Sequence, residues 1–374
     1  MGRFVATEIV VRNEETVSAK NHRRSRSASF PIHMNRILTL ALACFAGVSF
    51  AAEKKRVVVC TVTTGFRHGS IPFAEKTIEK LGAESGLYEV VGWSRQPSEE
   101  APKKPEKPKA PKPLDAGADE KAKAKYENEL KKFAEAEAKY AAELAKWGPE
   151  QDAAVKAAQG KRDEQMKESM AILSPDQLKA NKVDLVIFAN TTGDLPLPDR
   201  DGFIKWIEDG GNFAAMHSGG DTFHGFKGYL EMLQCEFKTH GPQVSVELVA
   251  GDKAHPANGG IGETWNLAME EMYEFKDGSH DRAKIRTLWH LRNHPVKKDE
   301  LGYNPVSWCR NAGKGRVFYT SLGHREDLWS DDPTLKDRKN SVEISKQYQS
   351  HILGGIKWAL GLAKGEVTPN PDVK

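Results

Sequence analysis

A short apolar run that stops at a histidine and two glycines constrains the fold of this chain most strongly. Residues 213–216 are apolar and are followed by His217, Ser218 and the pair Gly219-Gly220. Such a run is typical of a strand buried on both faces of a parallel sheet. Ligands of open α/β sheets bind beyond the carboxyl ends of the strands, where His217 is predicted to lie. A histidine that only ends a strand is the alternative interpretation.

Strand and helix patterns alternate on both sides of this run. Residues 56–63 and 88–94 are predicted strands flanking a helix that ends near Ser85, and 183–190 is a strand before a helix over 199–209. This order predicts an α/β fold with a doubly wound, mostly parallel sheet. The β-rich runs at 244–249, 272–275, 285–292 and 305–310 predict antiparallel or mixed pairing, followed by a strand over 316–321 and a helix over 342–362.

The α/β pattern is interrupted between residues 96 and 170, so the predicted domain consists of 53–95 and 171–364, with a tail over 365–374. Residues 101–113 mix Pro with Lys, which indicates an extended chain. The next predicted helices cover 116–147 and 151–170, and we interpret them as an inserted helical hairpin arm; a solvated single helix is the alternative. An a/d seam in the first helix, interrupted at Glu137, favours packing on the host domain, a homo-oligomer or a partner protein through 116–170. The seam contains Tyr126, Leu130, Phe133, Tyr140, Leu144 and Trp147.

The beginning of the chain has the features of a secretory signal. Met34-Asn35-Arg36 precedes a mostly apolar run over 37–50, and Ser49 and Ala51 are small residues at the −3 and −1 positions of a cleavage site. The sequence therefore predicts a secreted or periplasmic protein with a signal peptide at about 34–51. Residues 1–33 are then an upstream start-site extension or a long n-region. No later stretch is predicted to span a membrane.

Composition disfavours two functional classes. A net charge of +3 without a basic stripe does not suggest nucleic-acid binding. Cys60, Cys235 and Cys309 are widely spaced, so neither a disulfide framework nor a cysteine zinc site is indicated.

Polar clusters follow four predicted strands, at Arg67/His68, Asn190/Thr191, His217/Ser218 and His324. The carboxyl ends of parallel strands lie at one edge of a sheet, so these side chains are expected to converge. Several histidines near a carboxylate can bind a transition metal or act as acid and base. For His240 and His255 a hydrogen-bonded structural role is the favoured interpretation. No G-x-S-x-G elbow is present, so a serine nucleophile is not predicted.

At these residues the sequence resembles the ThuA-like (trehalose utilisation) family. The resemblance covers about 56–94 and 171–362 in order, through segments that include residues 64–68, 188–193, 210–222, 305–308 and 313–324, His255-Pro256 and Glu271-Met272-Tyr273. It implies a flavodoxin-like sheet similar to class I glutamine amidotransferases. His217 falls where those enzymes carry their cysteine, and His324 falls at their histidine, which argues against amidotransferase activity. Glu270 replaces the family's usual Asp, and the 96–170 arm departs from the family pattern.

The resemblance implies sugar metabolism linked to trehalose and 3-keto-sugars. Our first hypothesis is a carbohydrate enzyme in which His217, Glu271 and His324 provide acid–base groups, or in which His217 and His324 hold a divalent metal such as zinc. Trp308 is expected to stack on a sugar face. The second hypothesis is a non-catalytic sugar-binding or scaffold protein that uses the arm. The remaining expected substrate-binding residues are Arg67, His68, Asn190, Thr191, Asp221, His240, Tyr273 and Arg310.

Overall fold

The computed structural model describes residues 53–97, 101–295 and 301–373, with side chains from residue 303 in the last range. The predicted signal peptide at about 34–51 lies outside the described residues. In the part of the chain that the structure describes, no helix is both long and apolar enough to cross a membrane.

The described strands form one large sheet and one small sheet. The large sheet contains nine strands in the order β2-β1-β3-β4-β11-β10-β9-β6-β7, and β5 pairs with β8 in the small one. The strands are β1 Lys55–Cys60, β2 Tyr88–Ser94, β3 Leu185–Ala189, β4 Asn212–Met216, β5 Phe237–His240, β6 Val244–Ala250, β7 Thr264–Glu270, β8 Tyr273–Phe275, β9 Arg286–Asn293, β10 Leu301–Ala312 and β11 Gly315–Thr320.

Eight α-helices accompany the sheets in the described residues. They are α1 Ile71–Ser85, α2 Glu120–Leu144, α3 Pro149–Met170, α4 Pro175–Ala180, α5 Arg200–Glu208, α6 Lys227–Leu233, α7 Glu326–Trp329 and α8 Val342–Ala359.

The large sheet is parallel in one half and antiparallel in the other. Strand pairs β2-β1, β1-β3, β3-β4 and β4-β11 are parallel, whereas the pairs from β11 to β7 are antiparallel. The β-rich runs at 244–249, 285–292 and 305–310, for which antiparallel or mixed pairing is predicted, lie in the antiparallel half. Because β1, β3, β4 and β11 are adjacent and parallel, their carboxyl ends share one rim of the sheet.

The parallel half separates two hydrophobic cores. In β1, Val57 and Val59 belong to one core with α1 and α8, while Val58 and Cys60 belong to the other with α3 to α6. This alternation follows from the strand period of two. Both faces are covered by helices, so these strands need apolar residues at every position, as the sequence pattern predicts.

The inserted segment forms two helices, α2 and α3, separated by a short break over residues 145–148. Helix α2 has no buried side chain, and Leu130 and Leu144 are exposed. Helix α3 is anchored at its end, where Met166 and Met170 enter the second core. The Arg95 main-chain N–H donates to Ser169 Oγ at 2.9 Å, and Lys104 Nζ lies 3.5 Å from Asp152 Oδ1. Arg95, before the extended segment, therefore contacts the end of α3, and Lys104, within the extended segment, contacts the beginning of α3.

Candidate functional site

The two central parallel strands end in residues with an unusual backbone. Asn190 follows β3 with φ 56°, and His217 follows β4 with φ 47°. Non-glycine residues rarely adopt positive φ, and such positions are frequent at functional sites. A short 3-10 helix over His217–Asp221 begins directly after β4. The chain therefore turns sharply at His217 and directs its imidazole across the rim.

Three histidine rings meet at this rim. The ring centroid of His68 lies 4.7 Å from that of His217 and 5.3 Å from that of His324, and the His217 and His324 centroids are 5.3 Å apart. Glu271, between β7 and β8, adds a carboxylate to the group. One ligand atom from each of His68, His217, Glu271 and His324 lies within 4.8 Å of the others. We call these four residues the rim cluster.

The tautomer of His217 is fixed by its surroundings. His217 Nδ1 lies 2.8 Å from the Ser321 carbonyl oxygen, which can only accept, so Nδ1 carries the proton. The lone pair of Nε2 then points into the cluster, 3.2 Å from His68 Nε2 and 3.6 Å from Glu271 Oε2. A backbone carbonyl on the far nitrogen is a common support for a metal-ligating histidine.

His324 is oriented differently from the other two histidines. The oxygen of the Gln243 amide accepts from Arg325 Nη1 at 2.8 Å, so its nitrogen faces His324 Nε2 at 2.9 Å. His324 Nε2 therefore accepts, which leaves the proton on Nδ1, and Nδ1 lies 3.3 Å from Glu271 Oε2. The main-chain N–H of His324 donates to Glu270 Oε1. Glu270 thus positions His324, and Glu271 faces it.

Burial opposes positive charge on two of the histidines. Burial lowers the pKa of His68 to about 4 and lowers that of His217 well below its usual value. The pKa of His324 is also lowered by burial, but the carboxylates of Glu271 and Glu270 outweigh this effect and raise it. Burial raises the pKa of Glu270 to about 7. His68 and His217 are therefore neutral near neutral pH, whereas His324 is the better proton donor.

Two further predicted residues contact the rim cluster. The Tyr273 hydroxyl lies 3.0 Å from His217 Nε2, and burial raises the pKa of this phenol, so it stays protonated. His240 Nδ1 lies 2.9 Å from Glu271 Oε1, and its side chain is 45% exposed. The half-exposed His240 therefore links the buried Glu271 carboxylate to solvent.

Three predicted residues hold the rim together. Asn190 is buried, and its Nδ2 donates to Ser70 Oγ and to the Gly323 carbonyl oxygen. The Thr191 hydroxyl lies 2.8 Å from that of Thr222. Arg67 Nη1 donates to the Thr61 carbonyl oxygen. The contacts of Asn190 and Thr191 tie neighbouring strand ends to one another, and that of Arg67 holds the loop after β1.

The other predicted substrate-binding residues make their described contacts with residues outside the rim cluster. Trp308 is buried and its indole N–H donates to the Leu233 carbonyl oxygen, so the expected stacking on a sugar needs correction. Arg310 donates to the carbonyl oxygens of Glu231 and Met232. Asp221 Oδ1 lies 2.6 Å from His224 Nε2.

His255, outside the rim cluster, makes structural contacts. His255 is buried, and its Nδ1 accepts from the Ala257 N–H while Nε2 lies 3.6 Å from Cys309 Sγ.

The described thiols of Cys60, Cys235 and Cys309 are buried, and burial raises their pKa values. The residue that begins the turn after β4 is His217, and the thiol of Cys235, which lies beside Gly220 of the same turn, is buried with a raised pKa and is a poor nucleophile.

Phe66 is an aromatic residue beside the cluster that the sequence interpretation did not single out as functional. It is 68% exposed, and its ring centroid is 4.9 Å from that of His68. The available signal was a single aromatic residue within the polar loop that follows β1.

The fold and the rim define an α/β protein with a His/Glu site at the carboxyl ends of parallel strands. The sequence profile described as "ThuA: Trehalose utilisation" matches residues 131–359, so the chain belongs to the ThuA family. The match includes His217, Glu271 and His324, whereas His68 precedes it.

A solved structure of a ThuA-like protein shows the same α/β fold at low sequence identity. A ThuA-like protein from Parabacteroides merdae ATCC 43184 is 14% identical, with a TM-score of 0.51 over 86% of this chain and 99% of the other. A ThuA-like protein from Bacteroides uniformis ATCC 8492 is 13% identical, with a TM-score of 0.49 over 87% and 98%. No curated protein matches the chain at a significant level.

Proposed function

We propose that this chain is a metal-dependent enzyme that acts on a carbohydrate, with His68, His217 and Glu271 as the metal ligands. The main support for this proposal is that these three side chains converge at one rim of the sheet. A tetrahedral ion bonded to nitrogen at about 2.0–2.1 Å separates its ligand atoms by about 3.3–3.4 Å. The corresponding separations are 3.2 Å from His217 Nε2 to His68 Nε2 and 3.6 Å to Glu271 Oε2.

Two histidines and a carboxylate are a donor set suited to zinc or iron, and three protein ligands leave a position for substrate. A metal ion bound there supplies Lewis-acid polarisation of a sugar carbonyl or hydroxyl oxygen. The protein groups around it would carry the protons. His324 is the candidate acid, Tyr273 a neutral hydrogen-bond donor and His240 the link to solvent.

The family description points to carbohydrate as the substrate class, and an oxidised (keto-) disaccharide is the specific substrate we propose. Secretion through the signal at about 34–51 belongs to the same proposal, and a periplasmic location would give the enzyme access to imported sugars. Flavodoxin-like strand order is the corresponding proposal for the fold: the parallel strands run β2-β1-β3-β4-β11.

The competing explanation is a hydrogen-bonded histidine pair without an ion. Ser218 Oγ lies 3.3 Å from His68 Nδ1, so a hydroxyl proton given to Nδ1 would leave His68 Nε2 to donate to His217. Elemental analysis of the purified protein separates the two explanations.

The decisive experiment measures bound metal and sugar turnover in matched variants. His68→Ala and His217→Ala should lose the metal and the turnover of trehalose and of 3-keto-trehalose. His324→Ala should keep the metal and lose most of the turnover. His224→Gln, a partly exposed histidine variant outside the rim cluster, serves as control. Wild-type protein without stoichiometric metal, together with unchanged turnover in His217→Ala, would exclude the proposed mechanism.

A non-catalytic scaffold role is a second candidate, because α2 has no buried side chain and exposes Leu130 and Leu144. A surface of this kind suits a partner protein or a second copy of the chain. Loss of self-association or partner binding on arm deletion, with rim variants that behave as wild type, would favour this candidate.

A further inference from the structure

Phe66 is an exposed aromatic side chain on a well-held loop. Among the large apolar side chains that the structure describes as exposed, Phe66 at 68% exceeds Leu362 at 43% and Leu130 at 41%. Single exposed apolar residues are common on protein surfaces, so exposure alone indicates nothing. Its position next to the rim cluster is the second observation, because the ring packs edge-on against His68 at 80° between ring planes.

The backbone of this loop is fixed to the neighbouring strand end. The Phe66 carbonyl oxygen accepts from Thr192 Oγ1 at 2.8 Å, and the Thr64 N–H donates to the Thr192 carbonyl oxygen at 2.9 Å. A Cβ at Gly65 would lie 3.1 Å from Thr192 Oγ1, which shows how closely the two loops approach. The ring is therefore presented to solvent by a rigid support, and binding would not require the loop to order.

Polar side chains lie next to other members of the cluster. His240 is half exposed and contacts Glu271, and Gln243 and Arg325 provide polar groups next to His324. An exposed aromatic ring and polar groups around the same cluster match a pyranose ring, which has an apolar C–H face and a rim of hydroxyls.

We propose that Phe66 is an aromatic sugar subsite, on which the C–H face of a pyranose ring rests while its oxygen substituents face the rim cluster. This inference rests on the carbohydrate substrate of the proposed function. Phe66 takes the place of Trp308 as the residue on which a sugar stacks. The loop after β1 then contributes to sugar specificity. Sugars with one continuous C–H face should be preferred over those in which an axial hydroxyl interrupts that face.

The test measures trehalose binding by saturation-transfer NMR and calorimetry. Phe66→Ala should weaken binding about tenfold, since burying part of a phenyl ring contributes roughly the 1.4 kcal/mol that corresponds to a factor of ten. Phe66→Trp should bind at least as well as the wild type. Phe66→Leu should fall between alanine and phenylalanine, because it retains apolar area without a flat face. Leu362→Ala, an exposed apolar residue elsewhere, should leave binding unchanged.

Two further readouts separate this proposal from the metal proposal. Bound metal in Phe66→Ala should equal that of the wild type, and acetohydroxamate, a metal-directed probe without a sugar face, should bind both equally. If the wild-type protein contains no metal and its trehalose binding still depends on Phe66, the metal proposal is rejected and the subsite proposal is supported. Equal trehalose binding by the wild type and Phe66→Ala, or no binding by the wild type at millimolar sugar, would overturn the subsite.

Discussion

At the scale of single residues, the turn at His217 depends on the absence of a side chain at Gly220. A Cβ at this position would lie 2.5 Å from the Tyr319 hydroxyl and 3.2 Å from Cys235 Sγ. The same hydroxyl donates to the His217 carbonyl oxygen at 2.9 Å. The space is therefore already used by the hydrogen bond that holds the turn.

We predict that Gly220→Ala lowers the free energy of unfolding by about 1–3 kcal/mol, as overpacking usually does. The substitution should cost less in a Tyr319→Phe background, where the clashing oxygen is gone. Urea unfolding of the two single variants and the double variant measures this coupling. Strict additivity of the two changes would contradict the clash.

A second residue-scale prediction concerns His351, which is buried beneath β10 and β11. Its Nδ1 donates to the Ala257 carbonyl oxygen at 2.7 Å, and burial lowers its pKa to about 4. The unfolded chain takes up this proton near pH 6.5, so it binds more protons than the folded protein between pH 6.5 and 4. Stability should therefore be full above pH 6.5 and should fall as the pH drops towards 4.

Urea unfolding at pH 7 and pH 5 measures the effect. Burial also lowers the pKa values of His255 and His280 to about 4, and they contribute in the same direction. His351→Gln should lose less stability than the wild type on acidification from pH 7 to 5, by about 1–2 kcal/mol. Equal losses in the two proteins would show that His351 is not the group that titrates.

Some residues of the site could be predicted from sequence and others could not. His217 and His324 follow apolar runs, and the position after a parallel strand is informative by itself. Trp308 could not be placed, because a strand residue faces either core or solvent and the surrounding pattern does not decide. The exposure of Phe66 could not be predicted either, because a loop residue belongs to no periodic pattern that indicates burial.

At the scale of elements, the last turns of α3 are the part of the arm that enters the core, among the residues that the structure describes. Met166 and Met170 are buried in the second core, whereas α2 contributes no buried side chain. The Arg95 N–H and Ser169 Oγ are hydrogen-bonded, so the two ends of the insertion lie close together. The α/β domain should therefore tolerate removal of most of the arm.

We predict that replacing residues 98–162 with a short Gly-Ser linker leaves the unfolding free energy within about 1 kcal/mol of the wild type, since the removed part buries almost no apolar side chain. Extending the deletion to residue 170 should cost several kcal/mol more, because two core methionines are lost. Chemical denaturation measures both. A large loss in the shorter deletion would mean that α2 supports the fold.

The elements that were predicted and those that were missed differ in pattern strength. Strand β2 was predicted with its observed bounds, and α1 with its observed end at Ser85, because a β-branched run and an amphipathic helix are distinct periodic signals. The strands β5 and β7 were missed. The sequences Phe-Lys-Thr-His and Thr-Trp-Asn-Leu-Ala-Met-Glu mix polar and apolar residues at a sheet edge, where long-range pairing and not local preference decides.

At the scale of the whole molecule, the rim cluster joins both halves of the sheet. His68, His217 and His324 follow parallel strands, and Glu271 comes from the antiparallel side. A ligand that binds this group and not the unfolded chain stabilises the whole fold by mass action.

We predict that Zn²⁺ or Co²⁺ added to chelator-treated protein raises the thermal midpoint, by the equivalent of about 2.7 kcal/mol at 100-fold excess over Kd. His217→Ala should abolish the rise, and His224→Gln should retain it. Differential scanning calorimetry measures the shift. A rise that persists in His217→Ala would place metal binding elsewhere.

The positions of the rim cluster along the chain have a consequence for biosynthesis. Residues 68 and 324 are separated by most of the polypeptide, with 217 and 271 between them. A nascent chain has no complete centre until its last parallel strand has been translated and has entered the sheet. Truncated or nicked products that lose this strand and the residues after it therefore lack His324 and cannot complete the rim cluster.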